Sequence, residues 1–291
     1  MLHPESSRNR LIGIGAASVA YLCFSVLDTS AKWLVQSLPV IQIVWLRFVV
    51  HMMVMLPLAA VGGGLRLDRV RRPGLQLVRA AMTLSMTGLN FWALRYLQLA
   101  ETGSVQFAVP ILVAVLAAWF LRERLDPGRW CAVVAGFAGV LLIMRPGTQA
   151  FHPAILLSIG NAVIYAAFTL LTRKLAATDP PELTNLLSPA GAVVALAPFA
   201  LQAWQTPETP GQWAAILLTG IAGGFGHLLL ARSVRYAPAS AIAPFMYQQM
   251  LYMMLFGYLL FGDVPGPAVM SGAAVVVMSG LYLIWRERRP M

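Results

Sequence analysis

Charge is what this sequence has least of. Only 11% of its residues are Asp, Glu, Lys or Arg, where a soluble domain carries roughly 25%, and that shortfall excludes an ordinary water-soluble globule. Acids are scarcer still: 11 stand against 21 basic residues, a formal net charge of +10. An excess of that size raises nucleic acid as a partner. The basic residues, however, fall in short runs between apolar stretches and form no continuous patch, which argues for membrane topology and against a polyanion. Cysteine is limited to Cys23 and Cys131, which supply neither a disulfide framework nor a CxxC metal or redox motif; both read as small packing residues. The sequence has no G-x-x-x-x-G-K-[ST] for nucleotide hydrolysis and no H-E-x-x-H or G-x-S-x-G on which a membrane hydrolase would rest. No cofactor, no metal and no enzymatic activity are therefore expected.

What the chain has instead is apolar length, 59% of its 291 residues being hydrophobic. Stretches of about 20 apolar residues cross a bilayer as helices. Ten are read here: 11–33, 40–61, 74–95, 101–121, 128–145, 153–173, 183–203, 212–232, 238–261 and 266–286. The first follows Arg8 and Arg10 but is too long for a signal peptide and is followed by nine more spans, so it is taken as a retained helix. The class is all-α integral membrane. Cytoplasmic loops carry the excess of Lys and Arg. With the N-terminus inside, that side collects Arg8, Arg10, Arg66, Arg69, Arg71, Arg72, Arg122, Arg124, Arg129, Arg173, Lys174, Arg232, Arg235, Arg286, Arg288 and Arg289. The outer side keeps Lys32, Arg95 and Arg145, while Arg47 and Arg79 lie within spans. Both termini are expected in the cytoplasm, in a multi-pass protein of a bacterial inner membrane.

The segment Tyr96 to Arg145 returns, eroded, as Tyr236 to Arg286. Each copy has a small-residue lead-in (Ala100 to Ser104, Ala237 to Ala241), an apolar span, an acid (Glu123, Asp263), a proline four residues later (Pro127, Pro267) and a glycine-bearing span. Earlier parts match more faintly: Tyr21 and Phe24 with Tyr165 and Phe168, Lys32 with Lys174, Pro57 with Pro198. The chain divides into repeats 1–148 and 149–291. Five spans per repeat is an odd number, so the second copy enters the membrane from the other side. The charges agree: the arginines of the second-to-third and fourth-to-fifth connections of the first copy have no counterparts in QTPETPGQ or in Gly262 to Pro267. Shared sequence with opposite charge polarity is the signature of an inverted repeat.

With WLRF at Trp45 to Phe48, the small-residue lead-ins followed by Pro110 and Pro244, the LRERLDPGRW turn and the repeated glycine-spaced closing helices, the whole chain resembles a ten-helix member of the drug/metabolite transporter superfamily with two EamA-type domains. The resemblance implies a helical basket opening alternately to either side. Its central cavity would be lined by the first, third, fourth, sixth, eighth and ninth helices. Within the superfamily the resemblance points to the YddG-like exporters of aromatic amino acids. The implied function is export of small organic metabolites, aromatic and other amino acids foremost and drugs or amphipathic metabolites as the alternative. The implied partners are the small-molecule substrate and the lipid bilayer. One chain holds both repeats and is expected to act as a monomer.

Polar groups at membrane depth are site candidates, because lipid offers them nothing. Tyr21, Ser25, Asp28 and Lys32 share one face of the first helix. At 1.5 Å per residue Asp28 lies about 8 Å below the outer end, Arg47 about 10 Å and His51 about 16 Å. An unpaired arginine at a helix centre costs about 2.5–3.5 kcal/mol on insertion scales, so a partner is expected for Arg47 and Asp28 is within reach of it; the two read as a clamp between the first two helices or an interfacial snorkel, or else as direct contacts for a substrate carboxylate or a coupling proton. Asp28, His51 and His227 are candidates for proton coupling, against plain hydrogen bonding within the bundle. The cluster Gly220, Gly223, Gly224 suits close helix packing or a hinge. Thr83, Thr87 and Asn90 align on the third helix, and Ser158, Asn161, Tyr165, Thr169 and Thr172 on the sixth. In the ninth, Pro244 removes a backbone hydrogen bond ahead of Tyr247, Gln248, Gln249 and Tyr252; Gln106 and Pro110 repeat this thinly in the fourth. Trp92 and Tyr96 read as belt aromatics. The expected substrate contacts are Tyr21, Asp28, Arg47, Asn90, Asn161, Tyr165, Tyr247, Gln248 and Gln249, with a wall of Met246, Met250, Met253 and Met254 that adapts to apolar side chains. A passive channel, or a membrane enzyme built on Asp28, His51 and Arg47, is the competing reading.

Overall fold

In lipid each backbone N–H and C=O must be satisfied within the chain, which makes a helix of every apolar span. The computed structural model describes residues 7–61, 70–120, 127–148, 151–176, 178–179, 181–237 and 242–287. Arg66, Arg69, Arg122, Glu123, Arg124, Arg288, Arg289 and residues 238–241 of the second lead-in lie outside the described residues. The helices are α1 (Ser7–Leu34), α2 (Val40–Val61), α3 (Pro73–Leu94), α4 (Leu99–Gln106), α5 (Val109–Phe120), α6 (Pro127–Met144), α7 (Ile155–Ala176), α8 (Pro181–Gln202), α9 (Pro210–Tyr236), α10 (Gln248–Phe261) and α11 (Pro267–Glu287). A 3-10 turn, Ala243–Tyr247, precedes α10. The fourth span is thus α4 and α5 with a break at Phe107 and Ala108, just ahead of Pro110, and the ninth is the turn containing Pro244 plus α10, whereas α2 and α8 run unbroken through Pro57 and through Pro189 and Pro198. Helices α3, α6, α8, α9 and α11 all open on proline, whose fixed φ suits the first helical position and whose missing N–H has no partner to lose there.

Among the described residues, α1, α2, α7, α8 and α9 contain stretches long and apolar enough to cross a membrane on hydropathy alone. Helix α3 has their length but carries Arg79, Thr83, Thr87 and Asn90. Its polarity is the first sign that it faces an interior and not lipid.

Contacts between connections show which helix ends share a face. At one end Gln42 donates to the Gln205 carbonyl at 2.7 Å and accepts from the Gln205 N–H at 2.8 Å, and Gln212 donates to Ser37 at 3.0 Å. Lys32 there reaches Asp263 at 2.6 Å and the Leu97 carbonyl at 3.0 Å. At the opposite end Asp179 accepts from Gln76 Nε2 at 2.8 Å and from the Arg71 N–H at 3.3 Å. The connections at 70–72 and 203–209 therefore lie at opposite faces, as antiparallel repeats require.

Packing repeats the same two-fold relation. Exchanging the five spans of one repeat for those of the other turns α1 on α9 into α7 on α3, and α2 on α9 into α8 on α3; each of these pairs is in contact. The pairs α2 with α8, α4 with α10 and α6 with α11 map onto themselves and lie across the pseudo-axis. On that axis α6 and α11 meet backbone to backbone. A Cβ on Gly139 would fall 2.8 Å from the Gly272 carbonyl oxygen, and one on Gly272 would fall 2.6 Å from that of Gly139. The apolar core forms two large clusters, one among α4 to α7, α10 and α11 around Phe107 and Val276, the other among α1 to α4 and α8 to α10 around Phe48, Phe91 and Ile216.

Candidate functional site

The interior polar groups gather at four places. The first is the end of α1, where buried Lys32 is held by Asp263 and the Leu97 carbonyl and lies over the Phe261 ring at 5.0 Å. These residues form the floor of a cleft of about 480 Å³ that also takes in Gln36, Arg95 and Gln98. The ion pair ties the first helix of one repeat to the last connection of the other.

The second place is one helical stretch of α3. Asn90 donates to Asp28 Oδ1 at 2.8 Å. One turn earlier Thr87 accepts from Arg47 Nη1 at 2.5 Å, and Phe91 and Phe48 present their rings to the guanidinium at 5.7 and 4.9 Å. Among the described residues no ion pair joins Asp28 to Arg47; α3 supplies a separate neutral partner to each. Depth along α1 and α2 brings the two residues to one level, but a salt bridge also needs matching azimuths, and the azimuths direct both toward α3. The α9 glycines make the room. A Cβ on Gly223 would lie 3.4 Å from both Nε and Nη2 of Arg47, and one on Gly220 would lie 2.9 Å from the Arg47 carbonyl oxygen.

The third place is centred on Arg79, which the sequence alone marks only as a charge inside a span. It donates to Ser188 Oγ at 2.5 Å, the Thr184 carbonyl at 2.8 Å, Thr172 Oγ1 at 3.1 Å and Asn185 Oδ1 at 3.4 Å, and lies over the Phe168 ring at 4.5 Å. Its depth, seven residues into α3, is the signal that would have found it. Arg47, His51, Arg79, Thr83, Asn185, Ser188 and His227, with Phe48 and Phe168, enclose one cavity between α2, α3, α7, α8 and α9. The second and seventh spans thus line the interior, where the resemblance did not place them. His51 and His227, expected separately, are neighbours with ring centroids 6.2 Å apart, and Phe24 lies 5.0 Å from His227.

The fourth place joins α1, α7 and α10. Ser18 donates to Gln248 Oε1 at 3.1 Å, and Gln248 donates to the Tyr252 hydroxyl at 2.7 Å. Ser25 donates to the Gln249 carbonyl at 3.4 Å, and Asn161 donates to Gln106 Oε1 at 3.0 Å, tying α7 to the end of α4. Tyr21 packs edge-on to Phe24, and Tyr165 stacks on Phe168. Tyr247 is different: its ring packs on Phe107 and its hydroxyl fills the space left by Gly280 on α11, so it belongs to the wall between repeats. A 3-10 turn advances about 120° per residue against about 100° in an α-helix. That difference sends Tyr247 and Gln248 to different sides. Trp92 and Tyr96 are about half exposed, and Tyr96 stacks on His152 at 5.3 Å, as boundary aromatics do.

Outside the spans, Asp179 is buried where α7 turns into α8. Burial pushes its carboxyl up, but hydrogen bonds from Gln76, from Thr178 and from the Arg71 and Arg72 backbone outweigh that and hold it below the ordinary carboxylate range.

A family profile described as the EamA-like transporter family matches residues 11–145 and again 152–286. The chain is 25% identical to an S-adenosylmethionine uptake transporter of Rickettsia prowazekii, over 99% of this chain and 97% of the relative. It is 26% identical to a riboflavin transporter of Vibrio cholerae, over 93% and 92%, and 24% identical to the pseudopaline exporter of Pseudomonas aeruginosa, over 93% and 95%. A solved crystal structure superposes with a TM-score of 0.67 at 21% identity, covering 98% of this chain and 100% of that one.

Proposed function

We propose, from the premise that this chain belongs to the EamA-like transporter family, that this multi-pass membrane transporter of small molecules is a secondary carrier in a bacterial inner membrane with both termini cytoplasmic. Its cargo is a small organic molecule with a charged end and an apolar or aromatic body, amino acids foremost, moved outward by alternating access. The observation that carries this reading is the interior itself: polar and charged side chains from both repeats face one another across the seam of an antiparallel bundle. Lys32 and Asp263 close one end of that seam between repeats. Two inverted halves that exchange shapes open one mouth while shutting the other. In this reading Asp28, Arg47 and Asn90 handle the charged end; Tyr21, Asn161, Tyr165, Gln248 and Gln249 line the path of the body, with Tyr247 behind them; and Asp28, His51 and His227 are the groups able to exchange protons.

A relative named for uptake of S-adenosylmethionine and one named for riboflavin favour a second reading, import of a larger heterocyclic cargo. Counterflow decides between them. Liposomes holding the full-length protein and loaded with unlabelled phenylalanine, tryptophan, S-adenosylmethionine or riboflavin are expected to draw in the matching labelled compound faster than empty liposomes. Flux of riboflavin or S-adenosylmethionine without amino-acid flux overturns the amino-acid assignment. A pH gradient that leaves the rate unchanged removes the proton role.

A further inference from the structure

Two guanidinium groups face one cavity at membrane depth, and among the described residues neither forms an ion pair. Arg79 is surrounded by hydroxyls, an amide, a carbonyl and a ring, all neutral. Arg47 has Thr87 and two rings, and its Nε is buried without a hydrogen-bond partner among the described residues. Asp28 is committed to Asn90, and among the described residues the only ion pair is that of Lys32 with Asp263. None of the described residues lining the cavity is Asp or Glu. A second donor-capable atom, His51 Nδ1, is also buried there without a partner; His51 is 4% and Arg47 6% exposed. The Asp28 carboxylate lies near enough for its field to reach Arg47, but no ion pair joins them among the described residues, and the described partners of Arg79 are all neutral. Buried charge without a direct counter-charge is expensive, and two guanidinium groups around one space are an arrangement that an anion relieves. The cavity volume is about 30 Å³, room for about two water molecules and therefore for an oxyanion head group but not for a whole metabolite.

We infer that this cavity is an oxyanion site. It holds the carboxylate or phosphate of the cargo between Arg47 and Arg79, with His51 Nδ1 as a further hydrogen-bonding group and the rings of Phe48 and Phe168 as walls. Arginine forks match the geometry of both oxyanions. The neutral partners of Arg79 keep its plane oriented without cancelling its charge, and the contact to Asn185, at 3.4 Å, is the one most easily exchanged for a ligand oxygen. The assignment rests on the carrier reading only in calling the anion part of the cargo.

The test follows the thermal midpoint of full-length protein in nanodiscs by tryptophan fluorescence, with succinate and inorganic phosphate as probes against potassium chloride of equal ionic strength. Succinate, phosphate or both are expected to raise the midpoint above the chloride control, and which of them does so tells a carboxylate site from a phosphate site. Arg79→Gln is expected to weaken the apparent affinity roughly ten- to hundredfold. Arg79→Lys, which keeps the charge and loses the fork, should retain part of it, Arg47→Gln should lose it as well, and Lys174→Gln on the exposed side of α7 should behave as wild type. The inference is overturned if chloride matches both probes, or if Arg79→Gln and Arg47→Gln both respond as wild type does. In liposomes, equal flux of phenylalanine and phenethylamine keeps the carrier and sinks the oxyanion site. Stabilisation that is lost in Arg79→Gln, with no amino-acid flux, keeps the site and sinks the amino-acid carrier.

Discussion

Each buried charge in the first repeat is served by a residue whose removal is a defined experiment. Valine at position 87 keeps the shape of threonine and deletes the acceptor for Arg47, and Asn90→Leu deletes the donor to Asp28. Each leaves a buried charged group short of a partner, at a cost of about 1.5–3 kcal/mol. Lower thermal midpoints for both are expected, and a midpoint equal to wild type for Thr87→Val would show that the two rings alone suffice for Arg47. Asp179 gives a pH dependence with a definite sign. Its folded carboxyl is held below the unfolded value, so its contribution is present above the ordinary carboxylate pKa and disappears as pH falls through the folded one. Wild type should therefore exceed Asp179→Asn in thermal midpoint at neutral pH, and the two should converge only below about pH 4. A gap that persists unchanged to pH 3 would contradict this.

Individual helices place their residues through features of different legibility. The polar stripes of α3 and α7 follow from 3.6-residue spacing, and the partners found for Thr87, Asn90 and Asn161 use the faces that spacing gives. The rotational phase after a break does not follow, which is why Tyr247 turns to Gly280 while Gln248 turns to Ser18. The role of Arg79 was hidden for another reason. Its partners Asn185 and Ser188 come from α8, more than a hundred residues later, and no local pattern pairs positions so far apart. At the crossing of α6 and α11 the close approach predicts that Gly139→Val forces the backbones apart at a cost of about 1–3 kcal/mol, read as a lowered midpoint. Gly88→Ala on α3, where an added Cβ meets nothing within 4 Å, should be neutral or stabilising through helix propensity. Similar losses at both positions would mean that the α6 to α11 contact is not tight.

For the whole molecule the inverted arrangement was the most readable property, because it is written in the distribution of arginines, a property of whole connections that survives erosion of individual matches. It also makes the plainest topological prediction. Cysteines introduced at Arg71 and Gln205 in a Cys23→Ala, Cys131→Ala background should react with an impermeant maleimide from opposite sides of sealed vesicles; reaction of both from one side would end the antisymmetric reading. Arg47 and Arg79, fixed inside the hydrocarbon layer, have one more consequence. An energised membrane is worth about 2.3 kcal/mol per 100 mV for each elementary charge carried across it, so any rearrangement that shifts the guanidinium pair through the voltage drop is electrogenic. An occupant that neutralises one of those charges would reduce the current.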